Sequence, residues 1–150
     1  MTRPAVLNGK STGQIIAGVF GAVFILVGIL GFIPGITTNY DNLAFAGHGH
    51  GAEHAQLLGI FAVSVLHNIV HLLFGVVGLV LARTAAGARW FLLAGGAVYL
   101  VLWIYGLVID LDSNFNFVGL NTADNWLHFV LGAVMVGAGI AATKLEKATS

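Results

Sequence analysis

The chain has 150 residues, 58% of them apolar and 8% charged, with six Lys+Arg against six Asp+Glu and no Cys. Soluble domains carry about 25% charged residues, so this composition excludes a water-facing surface, and the mean hydropathy of +0.94 agrees. The missing Cys excludes disulfide scaffolds, thiolate metal sites and thiol redox enzymes, and a net charge of zero argues against a nucleic-acid partner.

Four stretches carry no Asp, Glu, Lys or Arg: Ser11 to Tyr40, Ala55 to Ala82, Trp90 to Ile109 and Asn125 to Thr143. Each reaches the roughly 18–20 residues that cross the hydrocarbon of a bilayer at about 1.5 Å per residue. In lipid a segment must satisfy its own backbone, and the alternation of a β-barrel is absent, so the stretches read as helices. The predicted spans are 13–33, 60–82, 90–109 and 125–143. Arg3 and Lys10 before the first stretch, with Ala44-Phe45-Ala46 after it, imitate a cleaved leader. The apolar run is longer than a leader's core of about 7–15 residues and ends well before that site. A retained helix is expected. The whole chain, 1–150, then forms one all-α, polytopic membrane domain of four helices in a bundle.

The connections set the orientation. Arg3, Lys10, Arg83, Arg89, Lys144 and Lys147 lie at the two ends and in the second connection, whereas Asp41, Glu53, Asp110, Asp112 and Asp124 lie in the other two. Basic residues stay on the cytoplasmic side. Both termini and the 83–89 turn are therefore predicted to be cytoplasmic, in a multi-pass protein whose first partner is the lipid bilayer.

The two halves resemble each other. Gly21-Ala-Val-Phe24 recurs as Gly96-Ala-Val-Tyr99, and Gly31 as Gly106. Asn42-Leu-Ala-Phe-Ala-Gly47 recurs as Asn114-Phe-Asn-Phe-Val-Gly119, and Asn68-x-x-His71-x-x-x-Gly75 as Asn125-x-x-His128-x-x-x-Gly132. This reads as two tandem two-helix repeats, about 13–82 and 90–143, related by an axis along the membrane normal. The first outer connection carries an insert containing His48, His50, Glu53 and His54. Glycines inside the helices fit close helix packing in lipid, where small residues let backbones approach.

Candidate chemistry sits in the second and fourth helices. Ser64, His67, Asn68, His71, Gly75 and Gly78 follow spacings of three and four and share one helix face, as do Asp124, Asn125, His128 and Gly132. Counting inward from Arg83 and Lys144 puts His71 and His128 roughly 18–24 Å above the cytoplasmic face, where polar groups must turn away from lipid. The stripes are expected to face each other with His71 and His128 at equal depth. Three readings stand. In the structural one, the Asn-His pairs hydrogen-bond across the interface as a His/Asn seam between helices 2 and 4. In the second, His67, His71, Asp124 and His128 hold a divalent transition metal, or His71 and His128 ligate a haem whose plane fits beside Gly75 and Gly132. In the third, the histidines and Asp124 belong to a proton path. The loop cluster His48, His50 and His54 with Glu53 has donors for Zn²⁺ or Cu²⁺, set against the plainer reading of a solvated His-rich loop. Gly-x-Ser-x-Gly, His-Glu-x-x-His and Walker motifs are absent from the sequence, so no catalytic set is assigned.

Ser64-Val-Leu-His-Asn-Ile-Val-His-Leu-Leu-Phe-Gly75, Leu102-Trp-Ile-Tyr-Gly-Leu-Val-Ile-Asp110 and Asn121-Thr-Ala-Asp-Asn-Trp-Leu-His128 carry a resemblance, together with Gly31-Phe-Ile-Pro-Gly35 and Leu57-Leu-Gly-Ile-Phe61. The chain resembles a family of small bacterial four-helix membrane proteins known only as a domain of unknown function. The resemblance implies the same topology and a bacterial plasma membrane, and it brings no activity, cofactor or catalytic residue. The expected role is a structural or accessory membrane component with a membrane-protein partner or a second copy, against a haem- or metal-binding protein in electron or ion handling.

Overall fold

The computed structural model describes residues 9–47 and 53–148. Its helices are α1 (Thr12–Leu30), α2 (Val65–Leu81), α3 (Ala85–Val108) and α4 (Thr122–Lys147). Three of them, α1, α3 and α4, are long and apolar enough to cross a membrane. α2 is shorter, at 17 residues.

Each helix begins where the sequence supplies an oxygen for the free N–H groups of its first turn. Ser11 Oγ accepts from Gln14 N, and Gln14 Oε1 accepts from Ser11 N, which makes a reciprocal capping box. Thr84 Oγ1 accepts from Gly87 N at 3.0 Å. Ser64 Oγ accepts from His67 N at 3.1 Å and starts α2. Hydropathy predicts a helix from residue 60, but the apolar segment before Ser64 is not helical. It forms strands β2 (Gln56–Leu57) and β3 (Phe61–Ala62), which pair antiparallel with each other, while β2 also pairs with β1 (Thr37–Thr38). The reason is local: Leu58 and Gly59 both adopt positive φ, 55° and 68°, and turn the chain back on itself. Hydropathy alone does not separate such a strand from a helix.

Helix α1 packs along α2 and α3 along α4, with α1 also against α3. Phe24, Phe91, Leu92, Tyr99 and Met135 are buried where these helices meet. The expectation that α2 and α4 lie side by side is corrected here: backbone packing runs within each hairpin and, between hairpins, from α3 to α1 and α2 and from α1 to α4. The glycines explain why. A Cβ on Gly75 would stand 2.6 Å from Gly21 O and 2.7 Å from Ile25 N, and one on Gly96 would stand 3.0 Å from Gly132 O. The backbones of each hairpin touch at these points, which side chains would forbid.

The two connections at the far end from the termini interlock. Gly47 N donates to Phe117 O at 2.7 Å, and Asn121 Nδ2 donates to Ile60 O at 2.8 Å. Within the α3–α4 connection the buried Asn116 donates to the carbonyls of Leu111 and Leu120, and its Oδ1 accepts from the N–H groups of Gly119 and Leu120. Tyr105 OH donates to Phe115 O in the same connection. At the opposite end Gln14 Nε2 donates to the carbonyls of Ala82 and Arg83, at 3.1 and 2.9 Å, so the start of α1 secures the end of α2.

Candidate functional site

The polar stripes of α2 and α4 turn inward, but their members go to different neighbours. Asn68 and Asn125 are buried. The Asn68 amide fills the place a side chain would take at Gly31, which caps the end of α1, and the Asn125 amide fills the same place at Gly106 on α3. Each asparagine therefore packs on the partner helix of its own hairpin rather than across an α2–α4 interface. Among the described residues, Asn68 Nδ2 and Asn125 Oδ1 have no hydrogen-bond partner.

Asp124 is buried at the start of α4. Its Oδ2 accepts from Asn121 N and from Ala62 N, both at 3.0 Å, and Asn121 Oδ1 accepts from Asp124 N at 2.9 Å. The carboxylate is thus half of a capping box for α4 and also satisfies the backbone of β3. At α2 Ser64 takes the place that Asn121 has at α4, its Oγ accepting from His67 N.

The imidazoles do converge. The rings of His67 and His71 lie 4.5 Å apart, and those of His67 and His128 6.2 Å apart. Tyr99 of α3 stands between them: its ring is 5.1 Å from that of His128, and its hydroxyl is 3.5 Å from His71 Nε2. His71 Nδ1 lies 3.0 Å from the carbonyl oxygen of His67. A carbonyl only accepts, so Nδ1 carries the proton and Nε2 of the neutral ring is an acceptor facing Tyr99. Nδ1 of His67 and Nδ1 of His128 are buried without a hydrogen-bond partner among the described residues.

Two cavities border this group. One, of about 130 Å³, lies against α2 and α3, with Val70, Tyr99, Leu102 and Val118 in its wall. The other, of about 150 Å³, lies against α1 and α4, with Val27, Asp124, Leu127 and Leu131 in its wall. His67, His71 and His128 line both.

These positions bear on the ligand readings. Among the described residues, no group of three or more His, Cys, Asp or Glu is arranged to hold a metal ion, and Asp124 Oδ2 is already taken by two N–H groups. The room a haem plane would need beside Gly75 and Gly132 is filled by Gly21 and Ile25 in one hairpin and by Leu100 and Gly96 in the other. His48 and His50 lie outside the described residues. His54 is half-buried and its carbonyl accepts from Asn39 Nδ2 at 3.2 Å. Tyr99 is the member of the group that the polar stripes do not reveal. The available signal is its hydroxyl in the middle of an apolar helix, at the position that the sequence match Gly21-Ala-Val-Phe24 to Gly96-Ala-Val-Tyr99 pairs with Phe24. Phe24 stacks on Tyr99 with ring centroids 5.4 Å apart.

Residues 14–141 match the model of a family described as a domain of unknown function (DUF4383). Neither the curated proteins nor the solved structures yield a match to the chain.

Proposed function

We propose a structural or accessory membrane role for this protein, which belongs to the DUF4383 family. In this reading it is a four-helix bundle of a bacterial plasma membrane, built from two tandem hairpins, with both termini and the 83–89 turn in the cytoplasm. The observation that carries the role is where the polar groups of the stripes are spent. Ser64 and Asp124 cap helices, and Asn68 and Asn125 seat against glycines of the neighbouring helix. These are scaffold tasks; among the described residues of the stripes they leave Nδ1 of His67 and of His128 and one amide atom each of Asn68 and Asn125 without a hydrogen-bond partner.

The tandem origin draws support from contacts that repeat between the hairpins. Gly21 meets Gly75 as Gly96 meets Gly132, and Gly31 receives Asn68 as Gly106 receives Asn125. The members of each set are those that the sequence aligns. The orientation rests on the separation of basic from acidic connections. Crosslinking in native membranes followed by purification in mild detergent tests the accessory role. A specific membrane-protein partner, or a defined second copy, is the expected product; recovery of the protein alone from both steps overturns it.

A further inference from the structure

The imidazole group is more than the scaffold requires. Among the described residues, no Lys or Arg lines either cavity, and the Asp124 oxygen facing the backbone is committed to two N–H groups. A charged ligand would find no counter-charge there, and burying an unpaired charge is strongly unfavourable. The walls are otherwise apolar, and an apolar cavity of about 150 Å³ takes a single six-membered ring. What the group does offer is hydrogen bonding. His71 and Tyr99 are matched to each other, whereas His67 and His128 each keep a ring nitrogen without a partner among the described residues. A buried nitrogen of this kind is unfavourable until an oxygen or a donor meets it.

The two cavities are also open to the same kind of access. Val70, in the wall of the first, and Leu127, in the wall of the second, are exposed on the helix surface. Both lie on apolar helices, so a molecule dissolved in the bilayer reaches the histidines without crossing water. Val70 and Leu127 also stand at matching places, each one residue before His71 and His128.

We propose that this imidazole group binds the head of a lipid-soluble one-ring quinone, its carbonyl oxygens accepting from Nδ1–H of His67 and of His128, with the matched pair His71 and Tyr99 beside the ring and its tail leaving past Val70 or Leu127. This is independent of the accessory role, since a scaffold with or without a partner can hold such a ligand.

The test titrates the full-length protein in lipid nanodiscs with a decyl-substituted benzoquinone, read by quenching of tryptophan fluorescence and by the thermal transition. Saturable quenching and a raised transition are expected, with decanol, which has the tail but no ring, producing neither. His128→Leu removes one hydrogen bond and should weaken binding about tenfold. Val70→Trp and Leu127→Trp fill the entrances from exposed positions, so they should abolish saturable quenching together while leaving the ligand-free transition in place. Equal titration of the wild type, the His128 variant and the double Trp variant overturns the proposal, as does an equal response to decanol. Should His128→Leu fail to fold, the comparison of the wild type with the double Trp variant decides the matter by itself.

Discussion

Replacing Gly75 by Ala tests how the hairpins are held. The added Cβ would lie 2.6 Å from Gly21 O, 2.7 Å from Ile25 N and 2.6 Å from Ile25 Cγ1. Two of these are backbone atoms of α1, so no rotamer change relieves them and the helices must move apart. Overpacking of this kind costs about 1–3 kcal/mol, and a clash with backbone belongs at the upper end. The better helix propensity of Ala returns up to about 1 kcal/mol, leaving a net loss of about 1–2 kcal/mol. Gly132→Ala meets Leu100 Cδ2 at 2.8 Å and Gly96 O at 3.0 Å, a softer neighbour and a longer contact. Its loss should be smaller. Gly137 on α4 has nothing among the described residues within 4 Å of its would-be Cβ, so Gly137→Ala should be neutral or slightly stabilising. At about 2–4 °C per kcal/mol for a chain of this size, thermal unfolding in detergent resolves the order. Equal stability of the Gly75 and Gly137 variants, or a reversal of their order, would refute the view that backbone contact at Gly21 and Gly75 holds the hairpin.

Two further substitutions probe the far-end connections. Asp124→Ala removes its half of the α4 capping box, leaving Asn121 N–H and Ala62 N–H without their acceptor, so a loss of about 2–3 kcal/mol is expected by chemical denaturation; Asp124→Asn, which keeps an acceptor oxygen, should lose less. Asn116→Ala deletes hydrogen bonds to Leu111, Gly119 and Leu120. It should cost about 2–4 kcal/mol and speed hydrogen exchange across the α3–α4 connection while leaving α1 unchanged.

Much of this architecture is legible in the residues because lipid imposes a simple rule: a charge-free run closes its own hydrogen bonds as a helix. That rule locates α1, α3 and α4 to within five residues of their observed ends, the largest miss being the start of α3 at Ala85 rather than residue 90. It misplaces the start of α2, because Ile60-Phe61-Ala62-Val63 is as apolar as the helix that follows. The signals that decide there are Gly59, which takes positive φ, and Ser64, which caps. Spacings of three and four reveal which residues share a face, so the inward turn of His67, Asn68, Asp124 and His128 is readable. They do not reveal which helix occupies that face. By spacing alone Asn68 and Asn125 look like partners across a seam, whereas each rests on a glycine of its own hairpin. Asp124 has the spacing of a ligand beside His128, yet Asn121-x-x-Asp124 is a capping pattern, and that local reading accounts for its position.

One carboxylate shared between the two hairpins couples the maturation of both. Asp124 can join Asn121 as soon as α4 begins, since both belong to one short segment. Its bond to Ala62 forms only when the α1–α2 connection has folded over. Until then Ala62 N–H lacks its acceptor, and the Asn121 amide lacks Ile60 O. The start of α4 and the end of β3 thus complete one another, and neither reaches its final strength alone. Opening of either connection exposes hydrogen-bonding groups in both, so this end should loosen and re-form as a single cooperative unit rather than strand by strand.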